Sequence, residues 1–350
     1  MAKNSSSNPV RLGIIGSGLA VKWLHWPALQ KMAGKYKIVM TCDVDPNAAQ
    51  EVARMAAELD SPECRWTTDY RELLANEEIE AVLLSLPIHL NAQIMLEAAL
   101  AGKHIIAEKP LAANLEQAKE LVANLKNFDH LVIEIAENFH YREDFLKAKE
   151  WIESGRIGDV FLIEMQARFW TDPSKGFAST PWRQDNQYRG GVVTDSGVHH
   201  AAGLRELAGE VEQLQAFTKS VHPVMGGLDT MTLNLRFRNG VLGNLIFAGA
   251  AKAPGGSFFE VAVYGSKGSI KLSDQKAVLN LSDDASEQTT QAEEFSPENQ
   301  DGGYLAEFQN FYDAIRNKAP VVSTVEEAFR DMEIIMRAFD SAEARSVILL

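Results

Sequence analysis

Between residues 190 and 200 the chain reads Gly190-Gly191-Val192-Val193-Thr194-Asp195-Ser196-Gly197-Val198-His199-His200, its densest run of reactive side chains. Asp195 and His199 stand four residues apart. On a helix that spacing puts both on one face, where they can hydrogen-bond or flank one ligand. His200 is turned away by about 100° and faces elsewhere. Histidine is the side chain best matched to take a hydroxyl proton near neutral pH, so His199 is a candidate acid/base. The paired glycines imply a backbone held close to something. An aspartate that caps a helix, with histidines satisfied by packing, is the competing reading.

A second constellation is Glu108-Lys109-Pro110, at the end of the stretch KHIIAEKPLA. The short apolar run before it reads as a buried parallel strand. In open α/β sheets ligands bind outside the carboxyl ends of strands, so Lys109 is placed to reach a substrate oxygen and stabilise a developing alkoxide. A surface salt bridge closed by a turn proline is the alternative here. Trp182 and Arg183 are candidates to line a substrate pocket through stacking and hydrogen bonds, or else ordinary core. Asp195, His199 and His200 lack any close His-x-x-x-His or cysteine pair, so no metal is expected.

The elements that must position these groups begin at residue 10. A strand over 10–15 runs into Gly16-Ser17-Gly18-Leu19-Ala20-Val21, a G-x-G-x-x-V turn. Gly16 permits the tight turn and Gly18 lets backbone approach a pyrophosphate at a helix N-terminus, while Val21 takes the third position, where glycine normally serves packing. The next strand, 38–42, ends at Asp43, 25 residues beyond Gly18 and placed to accept hydrogen bonds from an adenosine ribose. A carboxylate there repels a 2′-phosphate, which favours NAD over NADP. Capping of the next helix is its plainer role.

Strands over 79–86, 103–108 and 131–135 alternate with helices over 48–59, 92–101 and 115–125. That alternation predicts a doubly wound parallel sheet. The loop 85–91, with Ser85, Pro87 and Asn91, is expected beside the nicotinamide half of a dinucleotide. The second half changes character. After a helix over 144–154, residues Met231, Leu233, Leu235 and Phe237 alternate with polar ones, and Asn239-Gly240 predicts a hairpin into 241–247. Strands over 258–264 and 269–272 follow, then a polar stretch 283–303 expected as a mobile loop, and helices over 304–317 and 324–344. The expected division is a flexible tail 1–9, a dinucleotide-binding domain 10–138 and an α+β domain 139–350 with a large, mainly antiparallel sheet.

With 350 residues, 46% of them hydrophobic, the chain can bury two cores, and its net charge of −14 argues against nucleic acid or anionic membrane as partner. The polar start and the absence of any stretch of about 18 apolar residues predict a cytoplasmic protein. Cys42 and Cys64 are expected as buried free thiols.

These pieces, in this order, resemble the Gfo/Idh/MocA family, named for glucose-fructose oxidoreductase and inositol dehydrogenase. The resemblance rests on Gly16-Ser17-Gly18, on AALAGKHIIAEKPLA over 98–112, on Ala136-Glu137-Asn138-Phe139, on Asp195-Ser196-Gly197-Val198-His199 and on Tyr304-Leu305-Ala306-Glu307-Phe308. It implies a nicotinamide-dependent oxidoreductase acting on a secondary alcohol of a sugar, polyol or glycoside. Carried over, Lys109 contacts nicotinamide and substrate, Asp195 positions the substrate, and His199 is the acid/base. Trp182 and Arg183 join the substrate contacts. Gly16, Gly18, Leu19, Asp43, Ser85, Pro87, Asn91, Glu108, Lys109 and Asn138 are the implied cofactor contacts. The open sheet face implies a homodimer or homotetramer. Two positions depart from the family pattern: Asn91 stands where a histidine is frequent, and Ala202 where many members carry aspartate. Two rival readings use the same residues, a sensor of dinucleotide or sugar without turnover, and an enzyme that oxidises and re-reduces a glycoside on bound NAD to cleave or epimerise it.

Overall fold

Short apolar runs buried on both faces build the first sheet. The computed structural model describes residues 8–185, 187–252, 256–282 and 289–350. Strands β1 (Val10–Ile15), β2 (Tyr36–Cys42), β3 (Arg65–Thr67), β4 (Ala81–Leu84), β5 (His104–Glu108) and β6 (Ile133–Ala136) are all parallel, in the order β3-β2-β1-β4-β5-β6. Helices α1 (Trp26–Lys31), α2 (Pro46–Leu59), α3 (Tyr70–Ala75), α4 (Ile88–Leu100) and α5 (Leu115–Leu125) make the crossovers. Asp45, Asp69 and Asn114 cap the starts of α2, α3 and α5 by accepting backbone N–H groups. The strand order reverses at β1, which makes the carboxyl ends of β1 and its neighbours the natural crevice.

Two local features depart from the expected pattern. The helix after the glycine turn opens as a π-turn, Val21–His25, which leaves Trp23 54% exposed and buries His25 completely. Helix α4 starts directly after Pro87, so the loop expected over 85–91 is only three residues long, and Asn91 lies in the helix. Proline fixes the backbone there and Pro87 serves as the N-cap.

Contacts divide the chain into two units, one running to Ala136 and completed by Tyr304–Glu327, the other made of Glu137–Gly303 and Ala328–Leu350. The expected boundary at 138 omits that return. Its physical cause is the helix Tyr304–Asn317, whose Phe308, Phe311 and Tyr312 complete the core around β1, β2 and α1. Each such buried ring contributes about 2 kcal/mol through apolar area removed from water.

The second unit is built on a nine-stranded sheet in the order β14-β13-β12-β11-β7-β10-β9-β8-β15. In chain order its parts are α6 (Glu143–Glu153), β7 (Val160–Arg168), α7 (Pro181–Gln184), α8 (Gly191–Ala208), β8 (Val211–Lys219), β9 (Thr230–Phe237), β10 (Leu242–Ala248), β11 (Phe258–Gly265), β12 (Gly268–Ser273), β13 (Lys276–Ser282) and β14 (Thr289–Phe295). Helix α9 (Tyr304–Asn317) belongs to the first unit, α10 (Val325–Ala344) passes from the first unit into the second, and β15 (Ile348–Leu349) ends the chain. All pairings are antiparallel except β7 with β10. Helices α6 and α8 pack against the sheet, and the alternation in β9 is realised, with Met231, Leu233, Leu235 and Phe237 buried.

Residues 289–295, expected as part of a mobile loop, pair with β13 as strand β14. The sequence there is polar because an edge strand exposes much of its surface. Residues 283–288, from the same expected loop, and 1–7 of the expected tail lie outside the described residues. Both cysteines are free; Cys42 is buried as expected, Cys64 half-buried, and burial pushes both thiols up to about 12. Among the described residues no helix is long and apolar enough to cross a membrane.

Candidate active site

The carboxyl ends of β1, β2, β4 and β5 carry one group of the expected residues. Gly16 has φ +89°, and a Cβ on it would lie 2.0 Å from the Ser85 carbonyl oxygen, so its own fold demands glycine. Gly18 differs. A Cβ there would meet no described atom within 4 Å, which leaves an open cradle in front of the turn. Gly18 and Leu19 are half-buried. Beside them Asp43 accepts the Ser17 N–H at 2.8 Å and the Asp45 N–H at 2.9 Å, one on each carboxylate oxygen. Each oxygen retains acceptor capacity. A cradle open at Gly18 and a carboxylate fixed next to it fit a dinucleotide, with backbone at the pyrophosphate and Asp43 at the ribose.

Ser85 and Pro87 follow β4 and are half-buried, as are Glu108 at the end of β5 and Lys109 just after it. The Lys109-Pro110 bond is cis. Asn91, expected to face the cofactor, is fully buried and donates both amide hydrogens to main-chain carbonyls, Glu108 O and Pro110 O, each at 2.9 Å. Glu108 meets the Nε2 of His25 at 2.8 Å. An ionised carboxylate only accepts, so Nε2 donates.

In the second unit α8 carries Asp195 and His199 on one face, as the spacing predicted. The glycines before it are required by packing: Gly190 and Gly191 both have positive φ, and Cβ atoms on them would strike the Phe339 ring and the Gly226 carbonyl. His199 donates from Nδ1 to Glu137 Oε1 at 2.6 Å and lies parallel to the Phe139 ring at 5.1 Å. The Glu137 side chain is 1% exposed and that of His199 18%. With Nδ1 donating to a carboxylate, Nε2 is the ring nitrogen that carries an acceptor lone pair. Asp195 accepts from Arg183 Nε at 2.6 Å, and that guanidinium lies 4.0 Å over the Trp182 ring. The structure thus brings Asp195, Arg183 and Trp182 together. Ala202, at the position where many relatives carry aspartate, is fully buried. Asn138, expected at the cofactor, donates its amide to Gly302 O at 2.7 Å.

Neighbouring histidines are settled differently. Burial and the adjacent His199 pull His200 down to about 4, so it is neutral at pH 7 and donates from Nδ1 to Ser196 O. Burial also opposes charge on His140, but hydrogen bonds to Asp331 and Glu206 outweigh it and push the ring up to about 10. Burial raises Glu206 as well, yet hydrogen bonds from His140 and Lys149 bring it down to about 2. Arg205 joins Asp331 to Glu210, extending the network. Among the described residues no group of three or more His, Cys, Asp or Glu side chains is placed to hold a metal.

Sequence reasoning did not assign His25 or Glu137 to the site. Glu137 had a signal, its place in Ala136-Glu137-Asn138-Phe139, but its partner lies 62 residues away.

Residues 10–134 match a family described as "Oxidoreductase family, NAD-binding Rossmann fold", and residues 149–350 match "Oxidoreductase family, C-terminal alpha/beta domain". The chain is 31% identical over 336 residues to an uncharacterized protein of Saccharomyces cerevisiae, covering 94% of each. It is 25% identical to the myo-inositol 2-dehydrogenase of Thermotoga maritima, covering 89% of this chain and 90% of that one. A crystal structure of an oxidoreductase from Thermotoga maritima, 32% identical, superposes with a TM-score of 0.86 over 98% of each chain.

Proposed function

We propose, for a chain that belongs to the Gfo/Idh/MocA oxidoreductase family, that it transfers a hydride between a secondary alcohol of a sugar or polyol and NAD. The observation that carries this reading is the Glu137-His199 pair, a buried carboxylate holding a more exposed imidazole with Nε2 left to accept a proton. When bound, the nicotinamide supplies the hydride acceptor. His199 Nε2 takes the hydroxyl proton, and Glu137 balances the resulting charge. Asp195, held by Arg183, accepts hydrogen bonds from substrate hydroxyls, and Trp182 offers an apolar face to a sugar ring. Lys109 supplies the positive charge that steadies the developing alkoxide. Gly16, Gly18 and Leu19 receive the pyrophosphate, with Ser85, Pro87, Glu108 and Lys109 on the nicotinamide side.

Asp43 is the ground for choosing NAD, since a second anion at the ribose 2′ position would be repelled. The relative named for myo-inositol supports a polyhydroxylated substrate. We assign the open sheet face bearing Phe217, Leu242, Ile246 and Phe258, all exposed, to contact between copies of the chain, as a homodimer or homotetramer. The test is absorbance of reduced nicotinamide with NAD or NADP across aldoses, polyols, uronates and glycosides. Net reduction with NAD preferred supports the reading. Tight NAD binding without net reduction of any substrate overturns it and favours a sensor or a transient-redox enzyme.

A further inference from the structure

The segment around Lys109 is held by an amide at its main chain and by an imidazole at the side chain of Glu108. Asn91, in the first turn of α4, donates to the main-chain carbonyls of Glu108 and Pro110, the residues on either side of Lys109. The peptide units Glu108-Lys109 and Pro110-Leu111 are thereby tied to helix α4. The carboxylate of Glu108 is meanwhile fixed by His25. That ring is completely buried and enclosed edge-on by Tyr304 at 5.8 Å and Phe308 at 5.6 Å. The motif Tyr304-Leu305-Ala306-Glu307-Phe308, about 200 residues from Lys109 in sequence, so acquires a role. Its rings set the imidazole that sets Glu108. The π-turn Val21–His25 shifts the helix register just before α1 and brings His25 inward to that place.

We propose that Asn91 and His25 are positioning residues that together fix the direction in which Lys109 is presented; this rests on the assignment of Lys109 to the hydride-transfer machinery. A buried asparagine must place its hydrogens somewhere, and here both go to the residues on either side of one lysine, which ties that short segment to α4. The side chain of a lysine is long and flexible, so fixing its main chain on both sides is the means by which a fold limits where the ammonium goes.

Asn91→Asp is the informative variant, being the same shape with both donors removed. His25→Phe keeps the ring between Tyr304 and Phe308 but removes the donor to Glu108, and His25→Gln restores one. Three readouts separate positioning from mere stability. Amide exchange over residues 108–111 should quicken at least about tenfold in Asn91→Asp while the strands of the first sheet keep their protection. NADH should shield Lys109 from acylation by an amine-directed reagent in the wild type and no longer in Asn91→Asp, read by mass spectrometry. With a substrate in hand, kcat should fall by about 10- to 100-fold with KM nearly unchanged, and His25→Gln should recover more of it than His25→Phe. Wild-type exchange at 108–111 and retained shielding in Asn91→Asp would overturn the clamp, as would loss of protection spread evenly over the whole sheet. Absence of shielding in the wild-type protein would instead overturn the cofactor role of Lys109, while the exchange arm still decides whether Asn91 holds the segment.

Discussion

Two histidine-glutamate pairs, His25-Glu108 in the first unit and His199-Glu137 in the second, are built inside out relative to each other. In the first unit the side chain of His25 is 0% exposed and that of Glu108 13%. In the second the order is reversed, with Glu137 at 1% and His199 at 18%. The buried member is the holder and the more exposed one is held ready. The same contact therefore serves two ends: an imidazole fixes a carboxylate beside Lys109, and a carboxylate fixes an imidazole that can move a proton. His140 is the third case, held by carboxylates through both ring nitrogens. With no nitrogen left to receive a proton, it is structural.

If exposure assigns the roles, His199→Ala should cost about a thousandfold in kcat and leave the thermal midpoint nearly unchanged. A variant retaining more than a tenth of wild-type turnover would break the assignment. His140→Gln should do the converse, lowering stability by about 3 kcal/mol through buried carboxylates left without their partner. The pH dependence follows from the direction of the shift. The folded pKa of His140, about 10, is raised from 6.5, so its contribution is complete below 6.5 and is lost as pH rises towards 10. Glu206, lowered from 4.5 to about 2, contributes fully above 4.5 and loses this as pH falls. Chemical denaturation between pH 6 and 10 should show a fall in wild-type stability that is flattened in His140→Gln. Glu137→Gln keeps the shape of the holder without its charge, and about 10- to 100-fold in kcat should be lost with NADH affinity unaltered.

The smallest effects test the glycine turn. Gly16→Ala should lose on the order of 2 kcal/mol in denaturant unfolding, because the φ and the Ser85 carbonyl both oppose a side chain. Gly18→Ala should unfold as the wild type does, since among the described residues its methyl meets no atom within 4 Å, but bind NADH about tenfold more weakly, measured by nicotinamide fluorescence.

Much of this was legible in the sequence. Short apolar runs alternating with helical segments located five of the six strands of the first sheet, and the spacing of Asp195 and His199 located their shared helical face. Strand β3 was not legible, because Arg65-Trp66-Thr67 is three residues long and largely exposed. Strands β7 and β8 were missed because polar residues such as Glu164, Gln166, Glu212 and Gln215 interrupt their apolar members. Asn91 was read as a loop residue because Pro87 looked like a terminator, whereas it caps the following helix. The partners of His25 and His199 were out of reach for a simpler reason. They lie 83 and 62 residues away, and no local periodicity encodes a pairing at such separation.

The route of the chain between its units has a consequence for any attempt to divide it. The polypeptide changes unit after Ala136, after Gly303 and again after Glu327. A fragment ending near residue 136 would contain every strand of the six-stranded sheet yet lack Phe308, Phe311 and Tyr312, leaving an apolar gap over β1 and β2 and no lid on His25. Neither unit is a severable module, and a nick near residue 303 would cut a structural tie where a sequence map shows only a bend between strand and helix.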